Sequence, residues 1–135
     1  MPKLDDAQAD FLRNPYYAVI TTIRPDGTPH STVVWVDTDD GDVLVNTAEG
    51  RLKPRHMRDN PNVSVAVVDP ANGYKSLVVS GKAELSHDGA DAHIDKLAKK
   101  YLDADTYPFR KEGEVRVIVR VRPEHIAAAG FDGEH

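Results

Sequence analysis

Between residues 17 and 47 the chain carries three β-branched runs with nothing longer than a turn between them: YAVITTIR (17–24), PHSTVVWVDT (29–38) and VLVNT (43–47). Pro25-Asp26-Gly27 and Asp39-Asp40-Gly41-Asp42 are turn sequences, and a parallel crossover needs a dozen or more residues. The three runs are therefore predicted to form an antiparallel meander. NVSVAVVD (62–69) and YKSLVVSGKAELS (74–86) repeat the pattern about Pro70-Ala71-Asn72-Gly73. The last run, EVRVIVRVR (114–122), alternates, with Val115, Val117, Val119 and Val121 on one side and Arg116, Arg120 and Arg122 on the other. Those arginines are expected on a solvated outer face. Leu4 to Asn14 reads as a short helix with Asp5 and Asp6 in its first turn and Pro15 behind it. In ADAHIDKLAKKYL (90–102), Ile94, Leu97, Ala98 and Tyr101 make one apolar helical stripe. The fold class is mainly β: six strands with two peripheral helices imply a closed or half-closed barrel. No linker or repeat divides residues 1–135, so one domain is expected.

A chain of 135 residues can bury a core without disulfides or metal. Acidic residues outnumber basic ones 22 to 17, which argues against a nucleic-acid partner. There is no cysteine, which removes thiolate chemistry and Cys-based metal sites. The acidic, polar N-terminus does not read as a signal or transit peptide, and no apolar run reaches the length of a membrane span. The expectation is a cytoplasmic protein with no membrane partner. The histidines at 30, 56, 87, 93, 125 and 135 show no tight ligand spacing, so no metal site is expected. No G-x-S-x-G elbow occurs, GRLK lacks the spacing of a P-loop, and the carboxylates of Asp37 to Asp42 are assigned to turn chemistry. An enzyme with no visible acid, base, nucleophile or metal leaves its chemistry to a cofactor.

The local exception is TAEGRLKPRHMRDNP (47–61), where Arg51, Lys53, Arg55 and Arg58 crowd into eight residues with His56 among them. Pro54 suits the first position of a helix and Asn60, before Pro61, its end, so a short helix over 54–59 is predicted with Lys53 at its cap. Cations then gather where the macrodipole prefers negative charge, and the first amides lack a side-chain acceptor. One reading is a solvated turn in which the cations partner Glu49 and Asp59 and His56 faces water. The other is an anion site, since free amides and clustered cations bind phosphate or carboxylate. Trp35, mid-strand among valines, reads as core or as the wall of a flat ring's pocket.

The run from Thr22 to Pro70 resembles the flavin and deazaflavin oxidoreductases of the pyridoxamine-phosphate-oxidase-like split β-barrel superfamily. The later stretch DGADAHIDKLAKKYLDADTYPFRKEGEVRVIVRVRPEHI is similar to the branch that depends on coenzyme F-420. The resemblance implies a six-stranded, FMN-binding-like split β-barrel, homodimeric, with two cofactor clefts along the interface. It implies that Thr47, Arg51, Lys53 and Arg55, with Arg58 beside them, hold the cofactor's phosphate and tail. Val34-Trp35 and Val45-Asn46 would lie against its ring, and Tyr74 would approach the cofactor or its tail. Tyr107, Pro108, Phe109 and Arg110 would reach the substrate side from the partner subunit, or form a packed loop. Two departures stand out: His56 replaces a frequent Asn, and Asn72-Gly73-Tyr74-Lys75-Ser76 replaces a frequent N-P-Y-R-Y.

The activity implied by the resemblance is that of an F-420-dependent reductase, passing a hydride between bound deazaflavin and an electron-poor small molecule. The alternatives are an FMN-binding oxidase or flavin reductase of the same fold, and a non-catalytic carrier of deazaflavin, haem or another small ligand.

Overall fold

The computed structural model describes residues 2–131, so among the histidines only His135 lies outside it. Helix α1 (Asp6–Arg13) opens with a reciprocal cap: Asp5 accepts from the Gln8 amide, and the Gln8 side chain accepts from the Asp5 amide. Then come β1 (Ala18–Ile23), β2 (Pro29–Val34), β3 (Asp37–Asp39) and β4 (Asp42–Ala48), followed by α2 (Leu52–Asp59). β5 (Asn62–Asp69), β6 (Asn72–Ser86), α3 (Ala90–Leu102) and β7 (Arg116–Ala129) complete the chain.

The described strands form one antiparallel sheet in the order β2-β1-β5-β6-β7-β4-β3. Seven strands stand where six are expected, because the run 29–38 is broken at Trp35-Val36. That break shapes the fold. β2 and β3 are opposite edges of the sheet, yet only two residues separate them, so the sheet must curl until its edges meet at that corner. The result is a barrel that is split beyond the corner, where β2 and β4 diverge. Asp40 (φ 51°) and Gly41 (φ 78°) are both left-handed, which makes the two-residue hairpin that returns β3 into β4.

The barrel interior is filled by alternate residues of every long strand: Ala18, Ile20, Val43, Val45, Val63, Val65, Val67, Leu77, Val79, Val119 and Val121. Helix α2 packs against β1 and β4, with Met57 in the core. Helix α3 lies across β7 and β4 on the outside.

The last strand departs from the expected alternation at its start. Val115 precedes β7 and is half exposed, while Arg116 is 4% exposed, so the presumed wet face begins with a buried guanidinium. β7 also runs on to Ala129, past Pro123, which sits opposite Gly81 where the β6–β7 register shifts. Gly81 has no room for a side chain: a Cβ there would lie 1.9 Å from the Arg122 carbonyl oxygen.

Gly81→Ala should therefore push two central strands apart and cost on the order of 3 kcal/mol, the upper end for overpacking. Urea denaturation checks this; a variant within experimental error of wild type would show that the bulge relaxes freely.

Candidate functional site

A cleft of about 220 Å³ opens at the split. Val33, Val34 and Trp35 form one wall where β2 ends. Asn46 of β4 and Arg116 of β7 line the other side, and Arg51 and Lys53 enter from the start of α2. Ile94 and Leu97 of α3, with Tyr17, Tyr107 and Phe109, complete the lining.

The aromatic half is fixed by packing. Trp35 stacks on Tyr101 at 5.2 Å and 6°, and Tyr107 meets Trp35 edge-on at 6.1 Å. Tyr101 is itself pinned, its hydroxyl donating to the Tyr16 carbonyl and accepting from the Val36 amide, and burial pushes its pKa up to about 12. Lys100 bonds the Leu12 and Val36 carbonyls and, by burial, titrates down near 8. The link between β2 and β3 is thus clamped onto α3 and α1.

The cationic half is strained electrostatically. Lys53 is half-buried and has no hydrogen-bond or ion-pair partner among the described residues. Burial first, then the charges of Arg51 and Arg116, lower its pKa. One carboxylate stands among these three cations: Glu114 accepts from Arg116 Nη1 at 3.0 Å and faces Arg51 at 3.7 Å. Helix α2 begins at Leu52, not Pro54, with Arg51 at the cap position and no side-chain cap bond. Pro54 sits within the first turn, where a missing N–H costs nothing, so the helix can start earlier than a proline-first reading allows. The arrangement offers free amides and unpaired positive charge beside an aromatic wall.

Behind this cleft runs a buried polar chain. Arg116 Nε donates to Asn46 Oδ1 at 2.9 Å; Asn46 Nδ2 donates to the Ala90 carbonyl at 2.9 Å and lies 3.1 Å from His93 Nδ1. His93 Nε2 is 3.1 Å from Asp37 Oδ2, which also accepts from Lys96. Burial alone would raise the Asp37 carboxyl, but hydrogen bonds from His93, the Thr38 amide and Lys96 outweigh it and hold the group well below the ordinary range.

Comparison with known proteins places this architecture. A sequence model of the family described as pyridoxamine 5'-phosphate oxidase matches residues 4–129. The chain belongs to that family. A solved structure named F420 reductase is 31% identical, with a TM-score of 0.80, over 92% of this chain and 98% of that one. A conserved hypothetical protein of Mycobacterium tuberculosis (22% identity, TM-score 0.73, 93% of this chain and 84% of that one) shares the fold. So does General Stress Protein 26 of Bacillus anthracis (22% identity, TM-score 0.66, 89% and 88%).

Of the residues expected at the site of this family member, Val34, Trp35, Asn46, Arg51, Lys53 and Tyr107 line the cleft together. Tyr107 and Phe109 line the cleft of their own chain. Five others stand elsewhere. Arg58 makes two 2.7 Å bonds to Glu49, whose carboxyl Arg58 and then His87 draw down to about 2. Arg110 is held by Asp91 and Asp95 on α3. Tyr74 is 88% exposed at the start of β6, and Arg55 is exposed off the cleft lining. Thr47 is fully buried, with its hydroxyl shielded and unpartnered. It shares the face of β4 that carries Val43 and Val45 into the barrel, opposite Asn46.

Three expectations about single residues are corrected. His56 is 6% exposed, not solvated: it turns inward on α2 and bonds Thr22 through Nδ1 at 2.9 Å. Asp37 and Asp42 are buried ion-pair partners rather than turn decoration; Asp42 holds Lys3, Arg120 and Arg122. Arg116 belongs to the cleft rather than a wet face, and its local signal was the neighbouring Glu114, a carboxylate two residues away just before β7. His93 carried a signal too, lying one residue before Ile94 on the helix's apolar side.

A carboxyl held low in the fold stabilises it above the unfolded value of about 4 and loses that contribution as pH falls. Asp37→Asn should lower Tm at neutral pH and flatten its fall below about pH 4. Thermal melts across that window check it; an acid limb as steep as wild type's would show that Asp37 draws no stability from its partners.

Proposed function

We propose that the chain is a deazaflavin-dependent reductase, holding coenzyme F-420 in the split with an electron-poor small molecule beside it. The observation that carries this reading is the convergence of Arg51, Lys53 and Arg116 on an aromatic-walled cleft with one carboxylate among them. Mutual repulsion of three cations, with Arg116 buried and Lys53 half-buried, is unfavourable and is relieved by an anionic occupant. The donor set therefore fits a molecule with an acidic end and a flat ring. The likeness to a structure named F420 reductase supports the deazaflavin over flavin mononucleotide.

In this reading Lys53, Arg51 and the free amides of α2 bind the acidic end. Val34, Trp35 and Tyr107 bracket the ring, and the clamped β2–β3 corner keeps it oriented and shielded from water. When bound, the deazaflavin supplies a two-electron hydride donor. The chain's own part is proximity, orientation and electrostatics.

A second copy of the chain completes the cleft in this reading. Val33, Val19, Ala66, Val78 and Ala127 are successive cross-strand partners, forming an uncharged apolar row over five strands on the face turned away from the core. Outer faces of antiparallel sheets are ordinarily polar. Val33 belongs both to this row and to the cleft, so a partner seated on the row reaches the cleft's rim, where Tyr17 and Phe109 are more than half exposed. A cleft of this size in one chain is also below the roughly 300 Å³ at which ligand pockets usually begin.

Fluorescence titration with F-420 and with flavin mononucleotide tests the assignment. Lys53→Ala combined with Arg51→Ala should weaken F-420 about a hundredfold, from two shielded charge-assisted contacts. Arg58→Ala, whose guanidinium is spent on Glu49, should change affinity by less than about twofold. Tight flavin mononucleotide binding without F-420 binding would overturn the deazaflavin, and F-420 binding with no oxidation of the reduced form across a broad acceptor panel would favour a carrier.

A further inference from the structure

The polar chain behind the cleft has a directional logic. Arg116 spends Nε on Asn46 and Nη1 on Glu114, lies with Cζ 5.1 Å from the centre of the Tyr107 ring, and has no partner for Nη2 among the described residues. Since Arg116 lines the cleft, that donor is left for whatever fills it. Its guanidinium lies against the Tyr107 ring of the aromatic wall, and its charge acts on Lys53.

Asn46 can hold only one orientation. Its Oδ1 must face the Arg116 N–H, because a flipped amide would set two donors against each other there and break the bond to the Ala90 carbonyl. Nδ2 then presents a hydrogen to His93 Nδ1, which must accept, so the ring's proton sits on Nε2 and is donated to Asp37. Asp37 is braced by Lys96. Four elements (β3, α3, β4 and β7) thus contribute to fixing one guanidinium.

We infer that Arg116 contacts the electron-rich edge of the bound cofactor's ring, and that Asp37, His93 and Asn46 are positioning residues that hold it there. This rests on the cofactor reading above and deepens it. A ring that has taken up a hydride carries added electron density on its ring oxygens and nitrogens, so a fixed cation at that edge favours the reduced form over the oxidised one. Lys53 and Arg51 act on the acidic end, which is the same in both forms. Arg116 should therefore set the ratio of the two affinities, while Lys53 sets their common level.

The test is anaerobic titration of wild type and variants with oxidised and reduced F-420, and in parallel with oxidised and reduced flavin mononucleotide. Arg116→Gln should weaken the reduced form about tenfold more than the oxidised, and Lys53→Ala should weaken both alike. His93→Leu should shift the ratio in the same direction as Arg116→Gln. His93→Gln, whose amide can accept from Asn46 and donate to Asp37, should restore it, which a merely structural role would not predict. Thermal melts establish which variants fold; if His93→Leu does not, Arg116→Gln and His93→Gln still decide the matter. A folded Arg116→Gln with the wild-type ratio would overturn this inference alone, whereas wild type that binds neither cofactor would overturn the cofactor reading with it.

Discussion

Trp35 and Val36 connect the two edges of a seven-stranded sheet, and the shortness of that connection governs most of the molecule's architecture. An open sheet could place β2 and β3 far apart; two residues cannot span such a gap. The sheet must therefore curl, and it closes at the corner while the strands beyond diverge. Val36 is fully buried there, Tyr101 holds its amide and Lys100 its carbonyl, and Trp35 stacks on Tyr101. The corner that closes the barrel is thus also the rigid wall of the cleft.

The energetics of that cleft run against the rest of the protein. Many cations elsewhere are matched: Asp42 gathers Lys3, Arg120 and Arg122, Arg110 has Asp91 and Asp95, and Arg58 has Glu49. At the split, Lys53 lacks a partner among the described residues, and Arg51 and Arg116 share Glu114. A chain with 22 Asp and Glu residues could have matched these three more fully. Leaving them short of carboxylate costs stability and leaves electrostatic attraction available to a ligand.

Turn chemistry and β-branched runs locate the strands to within a few positions, except the end of β7, which runs seven residues past the expected one, because both signals depend on neighbours in the chain. The basic segment is visible in the sequence because a cation-rich, uncapped helix start is a local anomaly. Within it, however, sequence cannot separate Lys53 from Arg58. Both are cations on one short helix; they differ in that one turns towards the split and the other towards Glu49, nine residues back across a turn. Arg116 is misjudged for a related reason: alternation puts it opposite the core valines, and the space opposite a sheet's core is solvent unless a helix or loop covers it. Here α3 and Tyr107 do.

Sequence by itself determined an antiparallel β protein with a cationic helix start and no thiol, since these depend on residue type and on spacing of a few positions. Tertiary structure decided which cations meet: Arg51 and Lys53 come together with Arg116, more than sixty positions away, while Arg55 and Arg58 stay outside. It also joined Asp37, Asn46, His93 and Arg116 into one chain of hydrogen bonds. Charge and hydrogen bonding act through ångströms of space, and only the closing of the sheet brings those distant residues within that range.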